Sequence, residues 1–317
     1  MTVRSGARVV RLATRGSPLA LAQADLVARS LEAEDPDVRA ERVIVHTEGD
    51  RRGDEDLDRI GGQGVFVKEV QAAVLDGRAD VAVHSAKDLP PRTPRGLVLA
   101  AVPPRADPRD ALVGATLETL APGAVVATGS ARRRAQLANI RPDLGFVALR
   151  GNMETRIGRA GDGTAAAVVA AAAALDRLGL AGRIAERLSP VLCLPQAGQG
   201  ALALECRDGD DACRALLARI DDGDDHRALS AERAFLRALG AGCALPAGAL
   251  ARRAAGRGHL ELEGVLASAD GRVVVRGRLL GDEPEALGEA LARALVGERG
   301  ASSLPGWEAL EGWTATA

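Results

Sequence analysis

Short apolar runs alternate with amphipathic stretches through the first two thirds of the chain. Val9-Val10-Arg11-Leu12-Ala13 reads as a buried strand and leads into Thr14-Arg15-Gly16-Ser17-Pro18. Ser17 at an N-cap with Pro18 at the first helical position predicts a helix start. The hydroxyl can accept an unpaired backbone N–H, and the proline ring presets a helical φ. Leu19, Ala22, Leu26 and Leu31 then recur at helical spacing. Val43-Ile44-Val45 predicts a second strand, and residues 67–75 predict a helix stopped by Gly77. Val81-Ala82-Val83 predicts a third strand that ends in His84-Ser85-Ala86-Lys87-Asp88. Such alternation predicts an α/β domain with a largely parallel sheet.

After Pro103-Pro104 the alternation begins again. Val125-Val126-Ala127 predicts a strand feeding Thr128-Gly129-Ser130 and a helix from Arg132 to Asn139. Phe146-Val147-Ala148-Leu149 predicts another, feeding Arg150-Gly151-Asn152 and a helix through Arg156. The alanine-rich stretch 165–174 reads as a buried strand, Ala167 to Ala170, running into a helix that carries Arg177. Ala201 to Leu204 predicts one more strand, with helices around 211–220 and 228–239, then the Gly240-Ala241-Gly242-Cys243 turn. The tail changes character. Leu260 to Val265 and Arg272 to Val275 flank Ala269-Asp270-Gly271, a hairpin signal, and a last helix follows near 284–296. That is the pattern of a smaller, separate α+β unit, and no sequence repeat is present.

Composition narrows the function classes. At 317 residues the chain is long enough for two or three domains. It has three Phe, two Trp and no Tyr, and its net charge is −2. A stacking platform for single-stranded nucleic acid needs aromatic faces among basic residues, so nucleic acid is not an expected partner. No run of about 18 apolar residues exists to span a membrane, and Met1 to Arg8 lacks the apolar core of a secretory signal. Four irregularly spaced cysteines make neither a disulfide scaffold nor a zinc site. A cytoplasmic protein with reduced thiols is expected.

Candidate chemistry lies where ligands collect in open α/β sheets, beyond the carboxyl ends of strands and at helix N-termini. Arg15 and Ser17 fall there, as do Ser85, Lys87 and Asp88, then Thr128, Ser130, Arg132 and Arg133, and finally Arg150 and Arg156. Arg177 sits at the far end of its helix. An arginine fork meets a carboxylate through two parallel hydrogen bonds, so this set suits a polycarboxylate ligand. The alternative for any single arginine is a solvated surface position. Lys68 and Lys87 are the only lysines among 41 basic residues. Lys87 stands beside Asp88, where a carboxylate can steady a developing cation or pass a proton, unless the two form a structural pair. Cys243, in a loop of small residues, is either a nucleophile or attachment point, or a buried thiol.

Beyond these local readings the chain resembles the porphobilinogen deaminase (hydroxymethylbilane synthase) family. The resemblance is carried by Ala13-Thr14-Arg15-Gly16-Ser17-Pro18-Leu19-Ala20, Phe66-Val67-Lys68-Glu69, the segment Asp80 to Asp88, and Asp107-Pro108-Arg109-Asp110-Ala111. It continues in Leu149-Arg150-Gly151-Asn152 with Thr155-Arg156, Arg177-Leu178-Gly179, Gly198-Gln199-Gly200-Ala201 and Gly242-Cys243. These occur in family order over nearly the whole chain; after about residue 250 only the layout is similar.

The resemblance implies three domains: two α/β lobes like those of periplasmic binding proteins and a small α+β C-terminal domain. Their expected bounds are 1–102 with 200–220, 103–199, and 221–317. It implies head-to-tail condensation of four porphobilinogen molecules into linear hydroxymethylbilane, with loss of ammonia at each step. A dipyrromethane cofactor, joined by a thioether to Cys243, is implied to prime the chain. Asp88 matches the family's catalytic aspartate. Arg15, Ser17, Ser85, Lys87, Thr128, Ser130, Arg132, Arg133, Arg150, Arg156 and Arg177 match groups that bind the acetate and propionate arms of cofactor and substrate. Phe66 matches a residue near a mobile active-site loop. A monomer that passes its product to uroporphyrinogen-III synthase in haem and other tetrapyrrole biosynthesis is also implied. Gln63 stands where the family often has Lys, Ala174 where Gly is usual, and Ala241 and Ala244 replace common neighbours of the cysteine. A non-catalytic two-lobed binder of a small polycarboxylate is the competing reading; it would need neither Cys243 nor Asp88.

Overall fold

The computed structural model describes residues 8–46, 67–149, 151–240, 246–254, 258–298, 300–301 and 304. In chain order the first elements are β1 (Arg8–Arg15), α1 (Pro18–Glu34), β2 (Val38–Val45), α2 (Lys68–Leu75), β3 (Val81–Ser85), a 3-10 turn Ala86–Asp88 and β4 (Leu97–Ala101). Then come β5 (Asp110–Val113), β6 (Val125–Ala127), α3 (Ala131–Ile140), β7 (Gly145–Val147), α4 (Met153–Gly158), β8 (Ala167–Ala171), α5 (Ala172–Arg177) and β9 (Ile184–Arg187). The remainder is β10 (Leu202–Arg207), α6 (Asp211–Leu217), α7 (Gly223–Leu239), β11 (Ala247–Arg253), β12 (Leu260–Ala267), β13 (Val274–Gly281) and α8 (Pro284–Arg293). The predicted elements are found, and α1 starts as expected, with the Ser17 hydroxyl accepting the Ala20 N–H. Strands β4, β5, β9 and β11 carried no expectation.

The chain forms two compact units, one of residues 1–106 and 201–226, the other of 107–200 and 227–317. In the first, the sheet order is β2-β1-β3-β10-β4. β1 pairs in parallel with β2 and β3, whereas β10 runs antiparallel to both β3 and β4. The second unit repeats this plan as β7-β6-β8-β5-β9, with β5 the antiparallel member. The expectation of a largely parallel sheet holds, with one antiparallel member in each, β10 in the first and β5 in the second. The reason is topological. β10 and β5 are each the first strand after the chain passes from one unit to the other. They enter their sheets from a crossover and not from a βα turn, so nothing obliges them to run with their neighbours.

The sheets are buried on both faces. In β1, Val10 and Leu12 join a core with Val27 and Leu31 of α1 and Leu216 and Leu217 of α6, while Ala13 packs with Val70 and Val74 of α2. This explains why β1 reads, from Val9 to Ala13, as an apolar run broken only by Arg11, which pairs with Asp80. Each fully buried leucine contributes about 1.5–3 kcal/mol of hydrophobic stabilisation.

The tail forms an antiparallel sheet, β11-β12-β13, whose core joins Leu262 and Leu266 to Phe235 of α7 and to Leu287 and Leu291 of α8. It belongs to the same compact unit as residues 107–200, and the β12–β13 turn docks on α3. There Asn139 Nδ2 donates to the Gly271 carbonyl at 3.0 Å, and Arg276 donates to Gln136 Oε1 at 2.8 Å. Gly271 has φ +76°, and a Cβ there would overlap the Ala135 carbonyl oxygen. Only glycine meets both the turn and the close approach.

Candidate active site

In the first unit the register Leu12↔Val81 and Ala13↔Ala82 brings the carboxyl ends of β1 and β3 side by side. Arg15 closes β1, and Ser17 follows as the cap of α1, its Oγ 3.3 Å from the Ala20 nitrogen. Ser85 closes β3, and Lys87 and Asp88 occupy the 3-10 turn after it. The turn hangs on the neighbouring strand segment: Ala86 N–H donates to Ala201 O at 3.0 Å, and Leu89 N–H closes onto Ala86 O at 3.2 Å. Asp88 is half-buried. Among the described residues its carboxylate has no hydrogen-bond or ion-pair partner. Five residues singled out in the sequence, Arg15, Ser17, Ser85, Lys87 and Asp88, thus share one edge of one sheet.

The second unit repeats the arrangement. β6 ends at Ala127 and is followed by Thr128, whose Oγ1 accepts the Ser130 N–H at 3.2 Å; Ser130 in turn caps α3 by accepting the Arg133 N–H. Arg132 and Arg133 lie in the first turn of α3, facing Asp110 at the start of β5. Asp110 is wholly buried and accepts from Arg132 Nη1 at 2.8 Å, Arg133 Nε at 2.9 Å and Gln199 Nε2 at 2.9 Å. Burial by itself would raise the Asp110 pKa. The two guanidinium charges and the hydrogen bonds from Arg132 and Gln199 outweigh it and hold the carboxyl far below the usual carboxylate range. Arg132 Nη1 also donates to Leu194 O at 2.6 Å. Part of this set is therefore anchored internally.

Other donors are not spent. Nε and Nη2 of Arg132, and Nε of Arg177, are buried without a hydrogen-bond partner among the described residues. Arg177 donates through Nη2 to Gly200 O at 2.7 Å, and burial pulls its pKa down to about 10 despite the neighbouring Asp176. A buried guanidinium with orphaned N–H groups is costly unless an acceptor arrives, and a carboxylate-bearing ligand is the matching acceptor. Arg156, on α4, turns its Nε to the Gly151 carbonyl at 2.7 Å. Arg150, Phe66 and Cys243 lie outside the described residues, as do Gln63, Ala241 and Ala244. The described cysteines are buried. Cys193 is pushed up to about 12 by burial and by Asp110, which makes it a poor nucleophile.

Asp110, Gln199, Gln136 and Glu232 carry no local sequence signal that assigns them a part in the site. Gln136 donates to Leu194 O, and Glu232 of α7 accepts the Gly198 and Ala251 N–H groups. What the sequence offers is only a polar residue at the edge of an apolar run, as in Asp110-Ala111-Leu112-Val113. No helix among the described residues is long and apolar enough to cross a membrane.

Known proteins resemble this chain along most of its length. Residues 10–215 match the family model described as "Porphobilinogen deaminase, dipyromethane cofactor binding domain", and residues 227–297 match "Porphobilinogen deaminase, C-terminal domain". A porphobilinogen deaminase from Rubrobacter xylanophilus is 48% identical over 299 residues, covering 93% of this chain and 96% of the relative. One from Thermus thermophilus is 46% identical over 298 residues, covering 92% of this chain and 97% of the relative. Among solved structures, the probable amino-acid ABC transporter extracellular-binding protein ytmK of Bacillus subtilis aligns with a TM-score of 0.40 at 9% identity, over 68% of this chain and 91% of its own. The alkanesulfonate-binding protein SsuA of Xanthomonas axonopodis pv. citri aligns with a TM-score of 0.35 at 14% identity, over 74% and 75%.

Proposed function

The chain belongs to the porphobilinogen deaminase family, and from that premise we propose that it condenses porphobilinogen into hydroxymethylbilane for tetrapyrrole biosynthesis. Four substrate molecules and one water give one linear tetrapyrrole and four ammonia molecules. The observation that carries this reading is the match of both family models, which together span residues 10–215 and 227–297.

Asp88 carries the chemistry. When porphobilinogen loses ammonia its methylene carbon becomes cationic, and a carboxylate with no internal partner can stabilise that charge electrostatically. Asp88 can also hand a proton to the leaving amine. Lys87, Ser85, Ser17 and Arg15, on the same sheet edge, bind carboxylate arms of the substrate. The orphaned donors of Arg132 and Arg177 fit a ligand that brings several carboxylates, which dipyrromethane does. Cys243 holds that group through a thioether, with Thr128, Ser130, Arg132, Arg133, Arg150, Arg156 and Arg177 binding its acidic arms and those of the growing chain; Phe66 belongs to the active-site loop. When bound, the group supplies the pyrrole terminus on which elongation starts. Asp110 keeps Arg132 charged and orients both Arg132 and Arg133.

Residues 1–102 with 200–220 form the first lobe, 103–199 the second, and 221–317 the C-terminal domain that carries Cys243; the three separate sheets support this division. The protein works as a cytoplasmic monomer and passes its product to uroporphyrinogen-III synthase.

Intact mass tests the reading. Purified protein is expected to exceed its sequence mass by one dipyrromethane, with the adduct mapping to Cys243 and absent from Cys243→Ser. An unmodified protein that still turned over porphobilinogen would refute the cofactor assignment.

A further inference from the structure

Strand β3 carries a polar side chain into an otherwise apolar interior one residue before Ser85. The His84 imidazole is buried, and its Nε2 lies 3.2 Å from Oε2 of Glu205 on β10, a close approach without hydrogen-bond geometry. Gln71, from α2, donates to the same oxygen at 2.7 Å. Glu205 is wholly buried. Three elements therefore meet in one polar bridge beneath the carboxyl end of β3, and none of its members is among the ligand-binding groups named above.

A buried bridge of this kind is weak as a source of stability, because apolar packing of the same volume serves at least as well. What it offers is registration: the Gln71–Glu205 hydrogen bond has a preferred geometry, and the close polar approach of His84 to Glu205 fixes the spacing of β3 and β10, whereas apolar contacts slide. Asp88 has use for such registration. Among the described residues its carboxylate has no partner, so its position is inherited from its backbone. That backbone is a three-residue turn continuing the ladder Ser85↔Leu202 and His84↔Ala203. A slip of β3 against β10 would pass to Asp88 with no side-chain contact to absorb it.

We propose that Glu205 and His84, braced by Gln71, are positioning residues: they lock the end of β3 against β10 and so place Asp88 for reaction. This rests on the reading of Asp88 as the carboxylate that carries the chemistry.

The test compares Glu205→Gln, His84→Gln, the double variant and Asp88→Asn in the full-length, cofactor-loaded enzyme. The measurements are kcat and KM for porphobilinogen, together with thermal unfolding. Glu205→Gln keeps the shape and removes the charge. Its kcat is expected to fall on the order of 10- to 100-fold, the scale of a small misplacement of a reacting group. KM is expected to stay close to wild type, because the carboxylate-binding arms are untouched. His84→Gln should behave alike, and the double variant should lose no more than the worse single one. Unchanged kcat in both single variants would overturn the proposal, as would losses that vanish once rates are referred to the folded fraction. If Glu205→Gln does not fold, His84→Gln decides on the same criteria. Asp88→Asn separates the two failures: full turnover there overturns the role of Asp88. An inactive Asp88→Asn beside fully active Glu205→Gln and His84→Gln overturns the bridge alone.

Discussion

Replacing Asp110 by asparagine tests whether the arginine set is held by the network that surrounds it. The wild-type carboxylate is wholly buried and receives Arg132 Nη1, Arg133 Nε and Gln199 Nε2 within 2.9 Å. Asparagine preserves the volume and can still accept a hydrogen bond, but it leaves two guanidinium groups without their shared counter-charge. Removing one partner of a buried ion pair costs about 3–5 kcal/mol, chiefly because the other charge stays buried. The expected loss in urea denaturation followed by circular dichroism at pH 7 is therefore ~3–5 kcal/mol. The pH dependence has a definite sign. The carboxyl pKa is lower in the folded state than in the unfolded chain. The carboxylate thus contributes stability that is complete above the ordinary range near pH 4 and is lost as pH falls below it. Wild type and Asp110→Asn should differ by a constant amount between about pH 5 and 8 and converge on further acidification. A difference under about 1 kcal/mol at pH 7 would refute the reasoning, as would one that grows on acidification.

Three further outcomes are expected. Asp88→Asn should lose about 10²- to 10⁴-fold in turnover while its thermal midpoint stays at the wild-type value, since the carboxylate has no partner among the described residues; a near-normal rate would count against its role. Gly271→Ala should destabilise the protein by about 1–3 kcal/mol in urea, because the Cβ must displace α3 or the turn, and wild-type stability would show that the hairpin docks differently. Iodoacetamide at pH 8 should spare Cys193 in the folded protein, where the buried thiol sits at about 12, and label it only after unfolding; rapid labelling of the native protein would contradict its burial.

The part of the site that could be read in the sequence is the part built by local rules. Ser17-Pro18 and Ser130 announce their helices because capping needs only neighbouring residues, and the caps are found. The edge position of Ser85, Lys87 and Asp88 follows from an apolar strand that stops, and the structure ends β3 at Ser85. The Asp110 network was invisible for the opposite reason. Its members Asp110, Arg132, Cys193 and Gln199 are joined across as many as 89 positions of sequence, and no periodicity encodes a contact that far apart. Gln71, His84 and Glu205 are a similar case: each is one polar residue in an apolar element, and only their meeting gives them a meaning.

By itself the sequence determined the helices and most strands, though not β4, β5, β9 and β11, together with the order of the family motifs and the residue types at the strand ends. These depend on spacing, capping and side-chain chemistry within a few residues. Tertiary structure alone decided that β5 and β10 run against their neighbours, because strand direction depends on where a crossover enters a sheet. It also decided which arginines spend their donors on the protein and which keep them. Arg132 illustrates both: helix position and charge were written locally, but its division between Asp110, Leu194 and orphaned N–H groups follows from packing against segments remote in the chain.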